Sequence, residues 1–396
     1  MAQRKRRTTI RREGWYYLFV LAFVLTGAVL REINLLMILA GMMIGPLLVN
    51  WRMAVAALKH IDVRRTLPET VHAGDVLAVQ LEIANNNRRL GACAVAVDDV
   101  IRVDSDTESR RVGGSVGGGV LFAHVAAGQS ASAVYRGRPR RGRWRFGPLK
   151  VSTSFPLGFI RRTITLDETA EVIVYPRLGK LTRKFGELQN RAHGDGSRSQ
   201  HRRGLTEGDF YGLRDWRSGD SRSWIHWRTS ARMGTLVVRQ FEQRQHDDLA
   251  LIVDLWSPAD PDDQFNERVE QLISFAATIA AERCRRGGSR LLVAVGGTLP
   301  AIAQGTASPA LLREALRHLA LSQPSSERRL DDLLRESFGQ PRRWQHALLL
   351  STRSLDVQEE PDLAPLRHDP RWADALDHLK CPDLSGGRLL EYFDVE

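Results

Sequence analysis

At 396 residues, with 43% hydrophobic and 26% charged side chains, the chain has room for two or three domains and a composition that excludes wholesale disorder. Lys and Arg number 57 against 46 Asp and Glu, and the resulting formal charge of +11 suits an anionic neighbour, either a membrane surface or a nucleic acid. The three cysteines, Cys93, Cys284 and Cys381, lie far apart with no metal-binding spacing, which argues against a disulfide framework and fits a reducing compartment.

Residues 1–13 carry Arg4, Lys5, Arg6, Arg7, Arg11 and Arg12 against one acid, Glu13, and form a basic N-terminus. Two apolar runs follow, Trp15 to Leu30 and Leu35 to Val49, interrupted by Arg31, Glu32, Ile33 and Asn34. Each is somewhat shorter than the roughly 20 residues that cross a bilayer, but flanking residues and tilt make up the difference. The expectation is a transmembrane hairpin over 14–51, with helices at about 14–32 and 34–51. A cleaved signal peptide is the rival, and the second apolar run together with the lack of a small-x-small site weighs against it. The basic cluster before the first helix, with Arg52 and Lys59 after the second, places the N-terminus and everything beyond residue 52 in the cytoplasm at the inner membrane.

From residue 60 to 178 the pattern becomes short alternating runs punctuated by Asn85-Asn86-Asn87, the glycines from Gly113 to Gly119, and Gly128. That spacing predicts an antiparallel β-sandwich, with the glycine group as a flexible loop. The arginines between Arg136 and Arg145 could hold phosphates and stack bases. An edge strand turned to solvent or anionic headgroups is the plainer reading.

Residues 179–246 hold the most distinctive stretch. Trp216, Trp224 and Trp227 interleave with Arg214, Arg217, Arg222, Arg228, Arg232 and Arg239 around a turn at Gly219-Asp220. Arginine stacks on indole faces, so the expectation is a folded crossover whose guanidinium groups are tied down by Asp215, Asp220 and carbonyls. The series Arg214, Asp215, Trp216, Gly219, Asp220, Ile225, His226, Trp227, Arg228, Ser230, Ala231, Arg232 resembles the signature of the DUF58 family. Trp216 stands where tyrosine is commoner, and Ser223 stands where an arginine is usual, with Arg222 one place early. The stretch Arg141 to Phe159 also resembles the segment that precedes this signature, a strand pair ending in a Pro-aromatic turn. The resemblance implies a partnership with MoxR-type AAA+ ATPases and a von Willebrand factor A-like domain.

Over 247–396, apolar strands at Leu249–Asp254, Leu291–Val295 and Ala347–Ser351 alternate with helical patterns at 265–286, 309–321 and 370–379, and a last strand is expected within 388–393. Such alternation predicts a parallel sheet between helices, an α/β, Rossmann-like unit. In metal-binding A domains the first strand ends in D-x-S-x-S. Here the place reads Asp254-Leu255-Trp256-Ser257-Pro258, so Trp256 and Pro258 remove two hydroxyl ligands. A degenerate Mg2+ site would rest on Asp254 and Ser257, with Asp260, Asp262 and Asp263 nearby; hard cations need more oxygens than that. Otherwise Asp254 caps a turn or pairs with a signature arginine.

His193, His201, His226 and His246 with Ser218, Ser221 and Ser230 allow a triad only on paper: no G-x-S-x-G elbow and no P-loop accompany them. The expected protein is a non-enzymatic, membrane-anchored adaptor acting with an ATPase partner, without a cofactor and with no nucleic acid bound. The alternatives are a divalent-metal-dependent ligand binder and a nucleic-acid binder.

Overall fold

A computed structural model describes residues 4–103, 116–187, 209–218, 220–242, 248–327, 329–338, 344, 346–357, 359–369, 372, 376, 379–384 and 388–394. The chain divides into two compact units, Met1–Arg177 and Leu178–Glu396. It is a multidomain α/β protein with two N-terminal apolar helices and several sheets.

The first unit opens with strand β1 (Arg4–Ile10) and continues into helices α1 (Arg12–Arg31) and α2 (Asn34–Leu58). Both helices are long and apolar enough to cross a membrane, and most of their large side chains, among them Phe19, Phe23, Ile38 and Met42, are exposed. Strands β2 (Ile61–Thr66), β3 (Val71–His72), β4 (Leu77–Asn85), β5 (Ala92–Val103), β6 (Val116–Val125) and β7 (Ser130–Gly137) follow, then β8 (Gly142–Phe146), β9 (Leu149–Thr153), β10 (Ile160–Leu166) and β11 (Ala170–Tyr175). They form an eight-stranded sheet, β1-β10-β9-β5-β8-β11-β3 with β6 on β5, and a three-stranded sheet, β2-β4-β7. Strand β4 alternates buried Leu77, Val79, Leu81 and Ile83 with exposed neighbours, the period-two pattern of a half-buried strand. Leu81 and Ile83 share a core with Val95, Val97, Leu149, Val151 and Ile164 of the larger sheet, which Leu58 of α2 also enters, while Leu77 and Val79 pack in a second cluster with Ile101, Phe146 and Val174.

Three sequence expectations change here. The basic N-terminus is a strand: β1 pairs with β10 along its whole length, from Arg4↔Leu166 to Ile10↔Ile160. The arginine-rich stretch is an edge only in part: Arg136 lies on β7, at the edge of the three-stranded sheet, whereas Arg143 and Arg145 lie on β8, between β5 and β11. Among the residues read as a flexible glycine loop, Gly117–Gly119 lie within β6, while 113–115 fall outside the described residues. A Cβ on Gly118 would come within 2.4 Å of the Tyr135 ring, so close packing is the reason for glycine there.

The second unit contains β12 (Lys180–Leu181), the antiparallel pair β13 (Asp209–Asp215) and β14 (Val237–Glu242), and helix α3 (Trp227–Met233) between them. Next come β15 (Leu249–Asp254), α4 (Asp263–Arg286), β16 (Arg290–Val295), β17 (Ala301–Thr306), α5 (Pro309–Leu321), α6 (Leu330–Phe338), β18 (His346–Ser351), α7 (Ala364–Arg367), β19 (Leu379–Lys380), α8 (Leu389–Tyr392) and β20 (Phe393–Asp394). The five-stranded sheet runs β17-β16-β15-β18-β19, parallel except for β17. Strand β15 is buried at every residue, as a central parallel strand must be. Asp262 caps α4 by accepting from the Phe265 amide at 2.6 Å, and Gly287 closes it at φ 66°.

Two elements here depart from the sequence pattern. Strand β17 folds back antiparallel, and β20 pairs with β12 rather than extending the main sheet. The helix expected at 370–379 falls largely outside the described residues.

Candidate functional site

The signature folds around one bidentate ion pair. Arg214, on β13, donates from Nη1 to Asp220 Oδ2 at 2.7 Å and from Nη2 to Oδ1 at 2.8 Å, and the Arg217 amide donates to the same carboxylate at 2.9 Å. The Arg214 guanidinium and the Arg217 amide together hold the Asp220 carboxyl at about 2, well below its ordinary value. Asp215 contributes its backbone carbonyl to Arg214 rather than its carboxylate.

The return of the chain is fixed by short-range bonds. The Trp216 amide donates to Leu236 O at 2.8 Å and the His226 amide to Val237 O at 2.8 Å, while buried Ile225 bridges Val238. His226 is the N-cap of α3, its Nδ1 accepting from the Thr229 amide at 3.2 Å. That cap is the work its position shows. Ser230 is buried; its Oγ accepts from the Val237 amide at 2.9 Å and donates to His226 O at 3.2 Å, which locks α3 onto β14. Gly234 ends the helix at φ 72°.

Those bonds leave the rest of the motif outside. Trp227 is 66% exposed and Trp216 37%, and Arg222, Arg228, Ala231, Arg232 and Arg239 are also at the surface. The expectation that the guanidinium groups are tied down therefore holds for Arg214 and fails for the exposed Arg217, Arg222, Arg228, Arg232 and Arg239, while Trp224 is half-buried. Charge and ring spacing could not reveal this, because the anchoring falls to Ser230 and Ile225, which carry neither charge nor aromatic ring. Gly219, His193, His201 and His246 lie outside the described residues.

A second cluster sits at the carboxyl end of the parallel sheet, where the chain leaves β15 for β16 on one side and returns as β18 on the other. Sheets of this kind bind ligands at such a reversal. Asp254, at the end of β15, accepts from Ser351 Oγ of β18 at 2.8 Å, and Arg353 Nε lies 3.8 Å from its Oδ2. Arg353 also meets Asp362 at 3.1 Å and Glu360 at 3.5 Å, and its guanidinium lies over the Trp256 ring, 5.5 Å from the centroid. Burial pushes the Asp254 carboxyl up, against the lowering effect of Ser351 and Arg353.

These residues do not fit a divalent ion. The Arg353 guanidinium supplies the positive charge beside Asp254, Ser257 Oγ turns to the Pro258 carbonyl at 3.0 Å, and Asp262 is spent on capping α4. Among the described residues no group of three His, Cys, Asp or Glu side chains could hold a metal. Asp254 instead pairs with an arginine from beyond the signature, and Ser257 with a neighbouring carbonyl. Ser351, Arg353, Glu360 and Asp362 were missed in the sequence. The available clue was Ser351-Thr352-Arg353, polar residues placed directly after a buried strand.

Fold and site together define a multidomain α/β protein with two apolar N-terminal helices, a surface Arg/Trp motif and an ion-paired cluster at a parallel sheet's carboxyl edge. Residues 212–358 match the family described as "Protein of unknown function DUF58", a span that takes in both the motif and Arg353. "Uncharacterized protein YeaD" of Bacillus subtilis (strain 168) is 23% identical over 294 residues, covering 73% of this chain and 69% of that protein. Among solved structures, a β-glucosidase from Listeria innocua in complex with gluconolactone is similar at 16% identity, over 29% of this chain and 16% of that one, with a TM-score of 0.18. A β-glucosidase from Kluyveromyces marxianus in complex with glucose is similar at 11% identity, over 29% and 15%, also with a TM-score of 0.18. Likeness at that level carries no argument about fold or activity.

Proposed function

We propose that this chain is a membrane-anchored cytoplasmic adaptor that presents an Arg/Trp surface to a MoxR-type AAA+ ATPase, in complex maturation or another envelope-related role. The observation that carries the reading is the exposure of Trp227, Arg228 and Arg232 on a helix whose anchoring is left to Ser230 and His226. Trp and Arg dominate the energetics of protein interfaces, and side chains that hold nothing among the described residues are free to serve a partner. An arginine face also speeds and orients association with an acidic surface. The ATPase itself comes from the DUF58 resemblance.

In this reading α1 and α2 form a transmembrane hairpin, the two sheets of the first unit a sandwich, and residues 247–396 a von Willebrand factor A-like domain that works without a metal. The pairing of β1 with β10 supports one-sided anchoring, because the chain before α1 and the chain after α2 belong to one sheet. The arginines of β1 keep that side cytoplasmic.

The test is retention of a purified MoxR-type ATPase from the same genome on the full chain held in nanodiscs, with ATP analogue, with ADP and without nucleotide. Retention that is lost in Trp227→Ala/Arg228→Glu is expected. Retention under no nucleotide condition would overturn the proposal.

A further inference from the structure

We propose that the turn between β9 and β10, residues 154–159, is a third membrane contact, with Phe155 and Leu157 seated in the headgroup layer beside the helix pair. The inference rests on the reading of α1 and α2 as membrane-spanning.

The turn is clamped to both helices at one level. From α1, the Arg11 amide donates to Phe159 O at 2.9 Å, and the Tyr17 ring stacks on Phe159 with centroids 4.5 Å apart. From α2, Asn50, itself fully buried, accepts from the Ile160 amide at 2.9 Å and donates to Ser154 O at 3.4 Å. Phe159 therefore lies beside the first turns of α1, between Arg11 and Tyr17 where its apolar stretch begins, and Ser154 beside Asn50, near the end of the apolar part of α2. Trp15, Tyr16 and Trp51, at that same level, are 63%, 71% and 50% exposed, the aromatic composition of a membrane–water boundary.

The turn presents Phe155 at 36% and Leu157 at 46% exposure in direct continuity with this belt. Its backbone is partly closed on itself: the Gly158 amide donates to Ser154 O at 2.8 Å and the Phe155 amide to Thr153 Oγ1 at 3.2 Å, which eases its stay where water is scarce. Cations stand on the side away from the helices. Arg161 opposes Thr9 in the β1–β10 register, and Lys5, Arg6 and Arg7 follow along exposed β1, placed to meet anionic lipid phosphates. Apolar tip, aromatic belt and basic strand thus succeed one another in the order of the bilayer's own layers. Two helices alone leave the first unit free to pivot; a third contact fixes which of its faces lies on the membrane.

The experiment uses the full chain in phosphatidylethanolamine/phosphatidylglycerol vesicles with an environment-sensitive fluorophore on Leu157→Cys, on Phe23→Cys within α1 and on Leu299→Cys, which is 70% exposed in the second unit. The wild type, labelled in parallel, corrects for Cys93, Cys284 and Cys381. The expected result is blue-shifted emission at Leu157 quenched most by shallow nitroxide lipids, quenching at Phe23 by mid-chain nitroxides, and none at Leu299. Phe155→Cys repeats the measurement should the Leu157 variant misfold. Emission at 155 and 157 like that at 299, with Phe23 still quenched, overturns the third contact and leaves the hairpin standing. A blue shift at 157 without lipid quenching assigns the turn to a protein contact and also overturns the proposal. Absence of quenching at Phe23 as well removes the membrane reading itself.

Discussion

Two ion pairs at opposite degrees of burial show how differently single residues act in this chain. Arg214–Asp220 is partly exposed, and its acid titrates near 2. Its stabilising effect is complete above the ordinary carboxylate value and is lost as pH falls toward 2. Wild type should melt above Asp220→Asn at pH 6, with the gap closing between pH 4 and 2; a gap unchanged over that range would contradict the assignment. Arg65 and Asp99, by contrast, have side chains only 2% and 0% exposed. Arg65 Nη1 donates to Asp99 at 3.2 Å, Tyr135 Oη donates to the same carboxylate at 2.7 Å, and the guanidinium lies over Phe146. The group joins β2 and β7 of one sheet to β5 and β8 of the other. Arg65→Met strands a buried charge, at a cost of about 3–5 kcal/mol, or a melting drop of roughly 6–20 °C. Arg65→Met/Asp99→Leu should recover most of it, and a double variant no better than the single would show that the pair is not the source. At Asp254 the sign is reversed: its raised carboxyl favours the folded state at low pH, and that contribution disappears as pH rises through the folded value. Arg353→Met should therefore lose more stability than wild type does as pH rises above the ordinary carboxylate range, while Mg2+ or EDTA leaves the wild-type melt unchanged. An EDTA-dependent melt would reinstate a metal.

At the scale of elements, hydrophobic period carried the reading well and small residues defeated it. The apolar runs announced α1, α2, β15, β16, β18 and α4 because each buries or exposes a full face. Strand β1 was illegible, since its Arg and Lys residues signal solvent and only the partner β10, more than a hundred residues away, makes it a strand. Likewise Gly118 reads as flexibility until Tyr135 lies against it. Of the candidate site, Asp220 was legible as a carboxylate holding an arginine of the signature, though which arginine was not, whereas Ser351 and Arg353 reach Asp254 only through the β15–β18 pairing. Helix α1 meets the sheet at Gly14, where a Cβ would come within 2.4 Å of Phe159 O and 2.8 Å of Ile10 Cγ2. Gly14→Ala should destabilise the first unit by about 1–3 kcal/mol through that overlap, read as a lower melting temperature in detergent. A melt equal to wild type would mean that the helix and turn are not in contact. By the same packing, a fragment starting at residue 52 should be less stable than the full chain, because it lacks β1 and Asn50, which binds the β9–β10 turn.

At the scale of the whole molecule, the first unit grips both ends of the apolar hairpin: β1 enters the large sheet before α1, and Leu58 of α2 enters the core shared by the two sheets. In the proposed anchoring, a strand hydrogen-bonded to β10 and a helix end buried in the same core belong on one side of the bilayer, and the basic β1 assigns that side to the cytoplasm. The adaptor reading depends on this, because an ATPase can reach the Arg/Trp face only there. The most direct test is labelling of Lys5→Cys and Leu299→Cys with a membrane-impermeant maleimide in intact spheroplasts and after lysis, with the wild type as background. Labelling of both positions only after lysis is the predicted result; labelling of either one in intact spheroplasts would contradict it.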